Sequence, residues 1–287
     1  MPLVLGLPAV GYGYAHWEWA LPLQHPAAMG WVLVTWGLLS AGTLWLNAAL
    51  DRDESEVLMG PAGRVELPSR LPTWAYGALL ASVGCGFAAG PAVGGITLAC
   101  AALAIAYSHP SAAWKGHPAL GPAVNLVGYG VLSPMAGWVV VGAPPTPRTA
   151  VTAALLASWV GATYFAAQAH QADDDRARGY RTLVATHGPG AAVGAARVLY
   201  WVAVGGLCGF AVLGWYPVTL VVAAIPAVLL DRRLASWGGR GVDGGRAMLR
   251  RATAVAVTVM LAAAAQHGVQ IASGLAPAGL GTPWHPE

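Results

Sequence analysis

An all-α integral membrane fold, with about nine transmembrane helices around a central cavity, is predicted by three features of this 287-residue sequence. Hydrophobic residues make up 56% of the chain and charged residues only 9%, against roughly 25% charged in a soluble domain; the mean hydropathy is +0.57. Nine apolar windows lie between Pro, Gly and charged punctuation, most of them near the ~20 residues that cross about 30 Å of hydrocarbon. Two carboxylate clusters stand at the ends of the second and sixth windows, where their oxygens can face one another across a cavity.

The windows run approximately over 3–20, 28–50, 73–90, 92–107, 119–142, 149–169, 190–211, 213–230 and 248–272. They use most of the chain, so a single transmembrane domain over 1–287 is expected. The first window follows Met1 without a basic flank or a small-residue cleavage site, and is read as a retained helix. Its Tyr12, Tyr14, Trp17 and Trp19 suit an interfacial aromatic belt. Most of the thirteen tryptophans are expected to be belt or packing residues. Cys85, Cys100 and Cys208 all fall inside windows, and an odd number at membrane depth argues against a disulfide framework.

Lys and Arg favour the cytoplasmic ends of membrane helices, which tests the count of windows independently. Arg52, Arg64 and Arg70 follow the second window, Lys115 the fourth, Arg176, Arg178, Arg181 and Arg197 the sixth, and Arg232, Arg233, Arg240, Arg246, Arg250 and Arg251 the eighth. Fourteen of the fifteen basic residues thereby share one side, and Arg148 alone takes the other. This predicts a cytoplasmic N-terminus and both acidic clusters at the cytoplasmic side, in a prokaryotic inner membrane. The net charge of +3 follows from topology, and no basic run points to nucleic acid.

The first cluster reads Asn47-Ala-Ala-Leu-Asp51-Arg-Asp53-Glu54-Ser-Glu56. On a helix continuing from the second window, positions three or four apart share a face, so Asn47, Asp51 and Glu54 align while Asp53 points away. The second reads His170-Gln171-Ala-Asp173-Asp174-Asp175-Arg176, and the same spacing relates Gln171, Asp174 and Asp175. Ionisable residues in membrane segments mark functional sites. Oxygen donors without a matching set of Cys or His suit a hard divalent cation, and Mg²⁺ in particular takes one or two carboxylates plus waters and phosphate oxygens. With Lys115, Arg176 and Arg181 on the same side, the pattern predicts a diphosphate bridged to protein through metal, with basic side chains bonding its oxygens.

These residues resemble the UbiA-type intramembrane prenyltransferases. Asn47 and Asp51 match the first motif of that family, N-D-x-x-D-x-x-x-D, and Asp175-Arg-Ala-Arg-Gly-Tyr-Arg-Thr-Leu matches the continuation of its second, D-x-x-x-D. Tyr107-Ser-His-Pro-Ser-Ala-Ala-Trp-Lys115 is similar to the family's Y-S-x-P-x-x-x-x-K segment, and Asn125-Leu-Val-Gly-Tyr-Gly-Val-Leu to the glycine-rich helix that follows. The matches run from about 47 to 188 in the family's order. Ala48, Ser55 and Gln171 stand where three carboxylates are customary.

The resemblance implies a UbiA-like bundle and transfer of a prenyl group from an allylic diphosphate to a hydrophobic, commonly aromatic, acceptor within the membrane. It also implies Asp51, Asp175 and Lys115 as catalytic residues, and Asn47, Asp51, Glu54, Gln171, Asp174 and Asp175 as Mg²⁺ ligands. Lys115, Arg176, Arg181, Tyr107 and Asn125 would contact the diphosphate. Tyr129 and Tyr164 are cavity candidates by helix position, and His170 is a neighbour of the second motif. A terpene cyclase would keep the same diphosphate site and differ only in the attacking group. A secondary transporter is disfavoured because the acids gather at one face rather than at the midplane, and a metal-free lipid-binding relative is the last alternative.

Overall fold

The computed structural model describes residues 2–19, 21–51, 67–239 and 242–273. All regular structure in these residues is helical. Helix α1 (Pro2–Glu18) is followed by α2 (Pro26–Asp51), α3 (Leu71–Ala89) and α4 (Pro91–Ser108). A fifth segment is composite: α5 (Leu120–Asn125), a π-helical stretch (Leu126–Leu132) and α6 (Ser133–Val141). After α7 (Pro147–Gln168) comes the short α8 (Ala172–Ala177), then α9 (Leu183–Val212). A 3₁₀ turn (Val218–Ala223) leads into α10 (Ala224–Trp237), and α11 (Val242–Ala272) ends the described chain.

Nine of the helical segments among the described residues thus correspond to the nine predicted windows, with the short α8 in addition. Seven are long and apolar enough to cross a membrane by themselves; the others are α1, with 17 residues, and the composite of the 3₁₀ turn with the 14-residue α10. Boundaries moved where backbone chemistry overrode hydropathy. The seventh window begins at 190 by hydropathy, yet its helix begins at Leu183 and passes a kink at Gly188 and Pro189. Arg197, grouped in the sequence with the basic residues after the sixth window, lies inside α9, where Asp231 of α10 takes its guanidinium at 2.7 and 2.9 Å.

Leu80, Leu98, Val212 and Ile225 lie on the outside of the bundle, each more than half exposed. Long helices satisfy their own backbone groups, so such faces can meet lipid without loss of hydrogen bonds. The protein is an integral, multi-pass membrane protein. Lipid gives little hydrophobic drive for helix association, and small residues that let backbones touch take its place. A Cβ on Gly11 would lie 1.8 Å from the Pro134 carbonyl oxygen, and one on Gly137 1.8 Å from that of Pro8. Glycine at both points is what allows α1 to lie directly on α6.

Polar side chains tie the interior together. Trp36, fully buried, donates its indole N–H to Ser133 Oγ at 2.9 Å, and that hydroxyl donates to the Gly128 carbonyl at 2.9 Å. The link fastens α2 to the π-helical stretch, whose widened turns leave carbonyls without ordinary helical partners. At the far end, Thr146 caps α7 in a reciprocal box with Thr149 and donates to Glu18 of α1. Arg148 stacks there over Trp215 at 5.0 Å, at the opposite end of α7 from the motif residues.

Candidate active site

The motif residues of α2, α4, α5, α7 and α8 meet at one end of the bundle. Asn47 is half-buried one turn before the end of α2, and its Oδ1 accepts from Ser108, the last residue of α4, at 3.3 Å. Tyr107 lies beside Ser108, with its hydroxyl in hydrogen-bonding reach of Asn125 and Tyr164. Asn125 donates back to the Gly121 carbonyl at 3.0 Å, and Gln168 donates to the Tyr164 hydroxyl at 2.7 Å. A belt of neutral oxygens therefore runs from α2 through α4 and α5 to the end of α7. Tyr129 is the central residue of the π-helical stretch and interacts with Thr43 of α2. π-Bulges of this kind recur at functional sites.

The second cluster is not a continuation of α7. The chain breaks after Gln168, leaves half-buried His170 at the corner, and restarts as α8 with Gln171 at its N-cap position. Asp173, Asp174 and Asp175 fill the first turn of α8, where carboxylates oppose the positive end of the helix dipole. Their fates differ. Asp173 is exposed and pairs with Arg176 at 3.0 Å, Asp174 is half-buried, and Asp175 is buried. Gly179, at φ 70°, turns the chain out of α8, a left-handed conformation that glycine adopts without a Cβ penalty. Tyr180 N–H then returns to the Asp175 carbonyl at 2.9 Å.

Lys115 reaches this turn from a 3₁₀ loop after α4 (Trp114–Gly116). The Arg181 N–H donates to the Gly116 carbonyl at 2.9 Å. A Cβ on Gly116 would meet the Tyr180 ring at 2.6 Å, so the two loops can close only over glycine. Lys115 is buried, with its Nζ 6.0 Å from the centre of the Tyr180 ring. Burial and the Arg178 guanidinium lower its pKa to about 8, against the opposing pull of the Asp175 carboxylate.

Asn47, Tyr107, Asn125, Lys115, Gln171, Asp174 and Asp175 are thus brought to one end. Arg176 and Arg181 stand at its rim with exposed side chains; Arg176 is engaged by Asp173 and by the Ala185 carbonyl at 2.9 Å. Asp51 closes α2, only its backbone being described, and Glu54 lies outside the described residues together with Asp53, Ser55 and Glu56. Two contributors carried a weaker sequence signal. Gln168 lies one turn after Tyr164, and Thr182 immediately precedes an apolar helix, the usual place of an N-cap. Thr182 Oγ donates to Asp175 Oδ2 at 2.5 Å and accepts from Ala185 N–H at 3.3 Å.

The model of the UbiA prenyltransferase family matches residues 2–253. Among solved structures, the chain resembles a UbiA homolog from Archaeoglobus fulgidus bound to GPP and Mg²⁺, with a TM-score of 0.66 at 18% identity, covering 94% of this chain and 98% of that one. The apo structure of a UbiA homolog from Aeropyrum pernix K1 matches with a TM-score of 0.59 at 18% identity, over 95% of this chain and 97% of the other. A structure concerned with digeranylgeranylglyceryl phosphate synthase matches with a TM-score of 0.59 at 12% identity, over 95% and 97%. No curated protein sequence matches this one.

Proposed function

The chain belongs to the UbiA prenyltransferase family, and from that premise we propose that it transfers a prenyl group from an allylic polyprenyl diphosphate to a hydrophobic acceptor within the membrane. The observation that carries this reading is the joining of the Lys115 loop to the turn after Asp175, through Arg181 N–H on the Gly116 carbonyl, at the end of a polar belt that reaches Asn47. A buried lysine with arginines at the rim, two separated sets of oxygen donors and an otherwise apolar bundle suit a ligand with an anionic diphosphate head and a hydrocarbon tail.

Mg²⁺ fits this donor set. The donors are hard oxygens, the carboxylates of Asp174 and Asp175 with the amide oxygens of Asn47 and Gln171, and an ion that takes few protein ligands would complete its shell with phosphate oxygens and water. Asn47 and Asp51, with Glu54 beyond, would hold it from one side, and Gln171, Asp174 and Asp175 from the other. When bound it supplies Lewis-acid neutralisation of the diphosphate. That Archaeoglobus homolog binding GPP with Mg²⁺ supports the assignment.

Lys115 places its ammonium where negative charge grows as the C1–O bond of the prenyl diphosphate breaks and the electron pair leaves with the diphosphate. A preorganised cation in a water-poor site stabilises that charge at little reorganisation cost. Tyr107 and Asn125 orient the head group through their hydroxyl and amide. About one turn deeper than Asn125 and Gln168, the Tyr129 and Tyr164 rings would line the approach to C1, where an electron-rich carbon of the acceptor forms the new bond and then sheds its proton. The arginines at the rim, Arg176 and Arg181, steer the anion inward.

The test is to incubate the purified protein in lipid with Mg²⁺ and allylic diphosphates of graded length, with and without candidate acceptors, and to measure diphosphate release and organic products. Release that depends on an acceptor, with a prenylated product, supports transfer. Release with a hydrocarbon or prenyl alcohol alone redirects the assignment to a cyclase, and no release with any substrate refutes both.

A further inference from the structure

The Asp175 carboxylate is held by its own loop through the hydroxyl of Thr182. Thr182 Oγ has one proton, which it gives to Asp175 Oδ2 at 2.5 Å, and its lone pairs take the Ala185 N–H at 3.3 Å. An O–H bond of this length to a carboxylate is in the charge-assisted range. Both residues are buried, at 3% and 6% exposure, so water does not compete for either. The loop between them is closed a second time by the Tyr180 N–H on the Asp175 carbonyl, and is fastened to the Lys115 loop by Arg181 N–H on Gly116. Backbone bonds therefore place the Asp175 main chain, and the Thr182 hydroxyl acts on its carboxylate directly.

We propose that Thr182 is a positioning residue of the diphosphate site, whose hydroxyl orients the Asp175 carboxylate toward the metal–diphosphate and at the same time caps α9. The inference rests on the proposed function, in which Asp175 is a ligand of that assembly. Groups that orient a ligand from behind are worth roughly 10–100-fold in metal affinity or activity. Coupling to the α9 cap gives the arrangement a second consequence. The same hydroxyl ties the start of α9 to the ligand carboxylate.

The test measures Mn²⁺ binding by electron paramagnetic resonance, with inorganic diphosphate present, in the full-length protein in lipid nanodiscs. Thr182→Val removes the donor and keeps the shape. Thr182→Asn keeps a capping oxygen on a longer side chain that displaces the donor, and serves if the valine variant does not fold. Both are expected to bind Mn²⁺ roughly 10–100-fold more weakly than the wild type, whereas Thr182→Ser restores binding close to wild type. In an Asp175→Asn background, Thr182→Val is expected to cause no further loss. Wild-type affinity in the folded Val or Asn variant, failure of Ser to rescue, or additive losses with Asp175→Asn would each overturn the positioning role. Absence of Mn²⁺–diphosphate binding in the wild type would instead refute the underlying assignment of the site.

Discussion

At the scale of single residues, the charge of Lys115 is the most sensitive feature of the site. A lysine removed from water favours its neutral form, and burial together with Arg178 brings Lys115 down to about 8. The sign follows directly: below that pH the ammonium is present to meet an anion, and above it the free protein loses the charge. Affinity for inorganic diphosphate without metal is expected to fall as pH rises through about 8, beyond any change caused by the ligand's own ionisation. Lys115→Arg, whose guanidinium stays protonated, should remove that extra fall. Isothermal titration from pH 7 to 10 checks this, and parallel curves for the two proteins would count against it.

The Tyr-Ser-x-Pro context of Lys115 and the spacing of Asp175 could be read directly from the sequence, because both belong to motifs with fixed offsets. Thr182 stands in the same motif, but the bond from its hydroxyl to Asp175 could not be read, because that pairing is set by the left-handed turn at Gly179, and a turn angle leaves only a glycine in the sequence. Arg197 was misplaced for a related reason. Topology explains a basic residue near a loop, while its carboxylate partner, Asp231, lies on another helix.

At the scale of elements, hydropathy located every segment, and the breaks inside segments were set by local bonding. The π-helical stretch within the fifth segment is held by Ser133, which receives Trp36 and gives to Gly128. Ser133→Ala leaves the buried indole N–H and the carbonyl without that partner and should cost about 1–3 kcal/mol, read as a lower unfolding midpoint in detergent. An unchanged midpoint would show that the link carries no stability. At the far end, Thr146→Ala removes the cap of α7 and a donor to Glu18, and the cap alone should cost about 1 kcal/mol. Because Gly11 and Gly137 hold α1 against α6, Gly137→Val should destabilise more than either.

For the whole molecule, the grouping of thirteen basic residues on one side, with Arg197 set aside as part of α9, predicts orientation. His187 and Pro145 are both exposed and lie toward opposite ends of the bundle. In a cysteine-free background, His187→Cys is expected to react with an impermeant maleimide only from the cytoplasmic side, and Pro145→Cys only from the other. The reverse pattern would invert the topology. The nine windows and the two clusters were legible because a bilayer forces long apolar runs and penalises stray charge. The way the clusters are joined was not, since the neutral belt of Tyr107, Asn125, Tyr164 and Gln168 contains no charge to mark it.

The central claim is that the two clusters form one diphosphate site that ionises an allylic substrate. Diphosphate release from allylic diphosphates, measured in lipid with Mg²⁺ for the wild type, Asp51→Ala and Asp175→Ala, tests it most directly. Release by the wild type and loss of most of it in each variant, with unfolding midpoints unchanged, is the predicted result; full activity in both variants would contradict the assigned site.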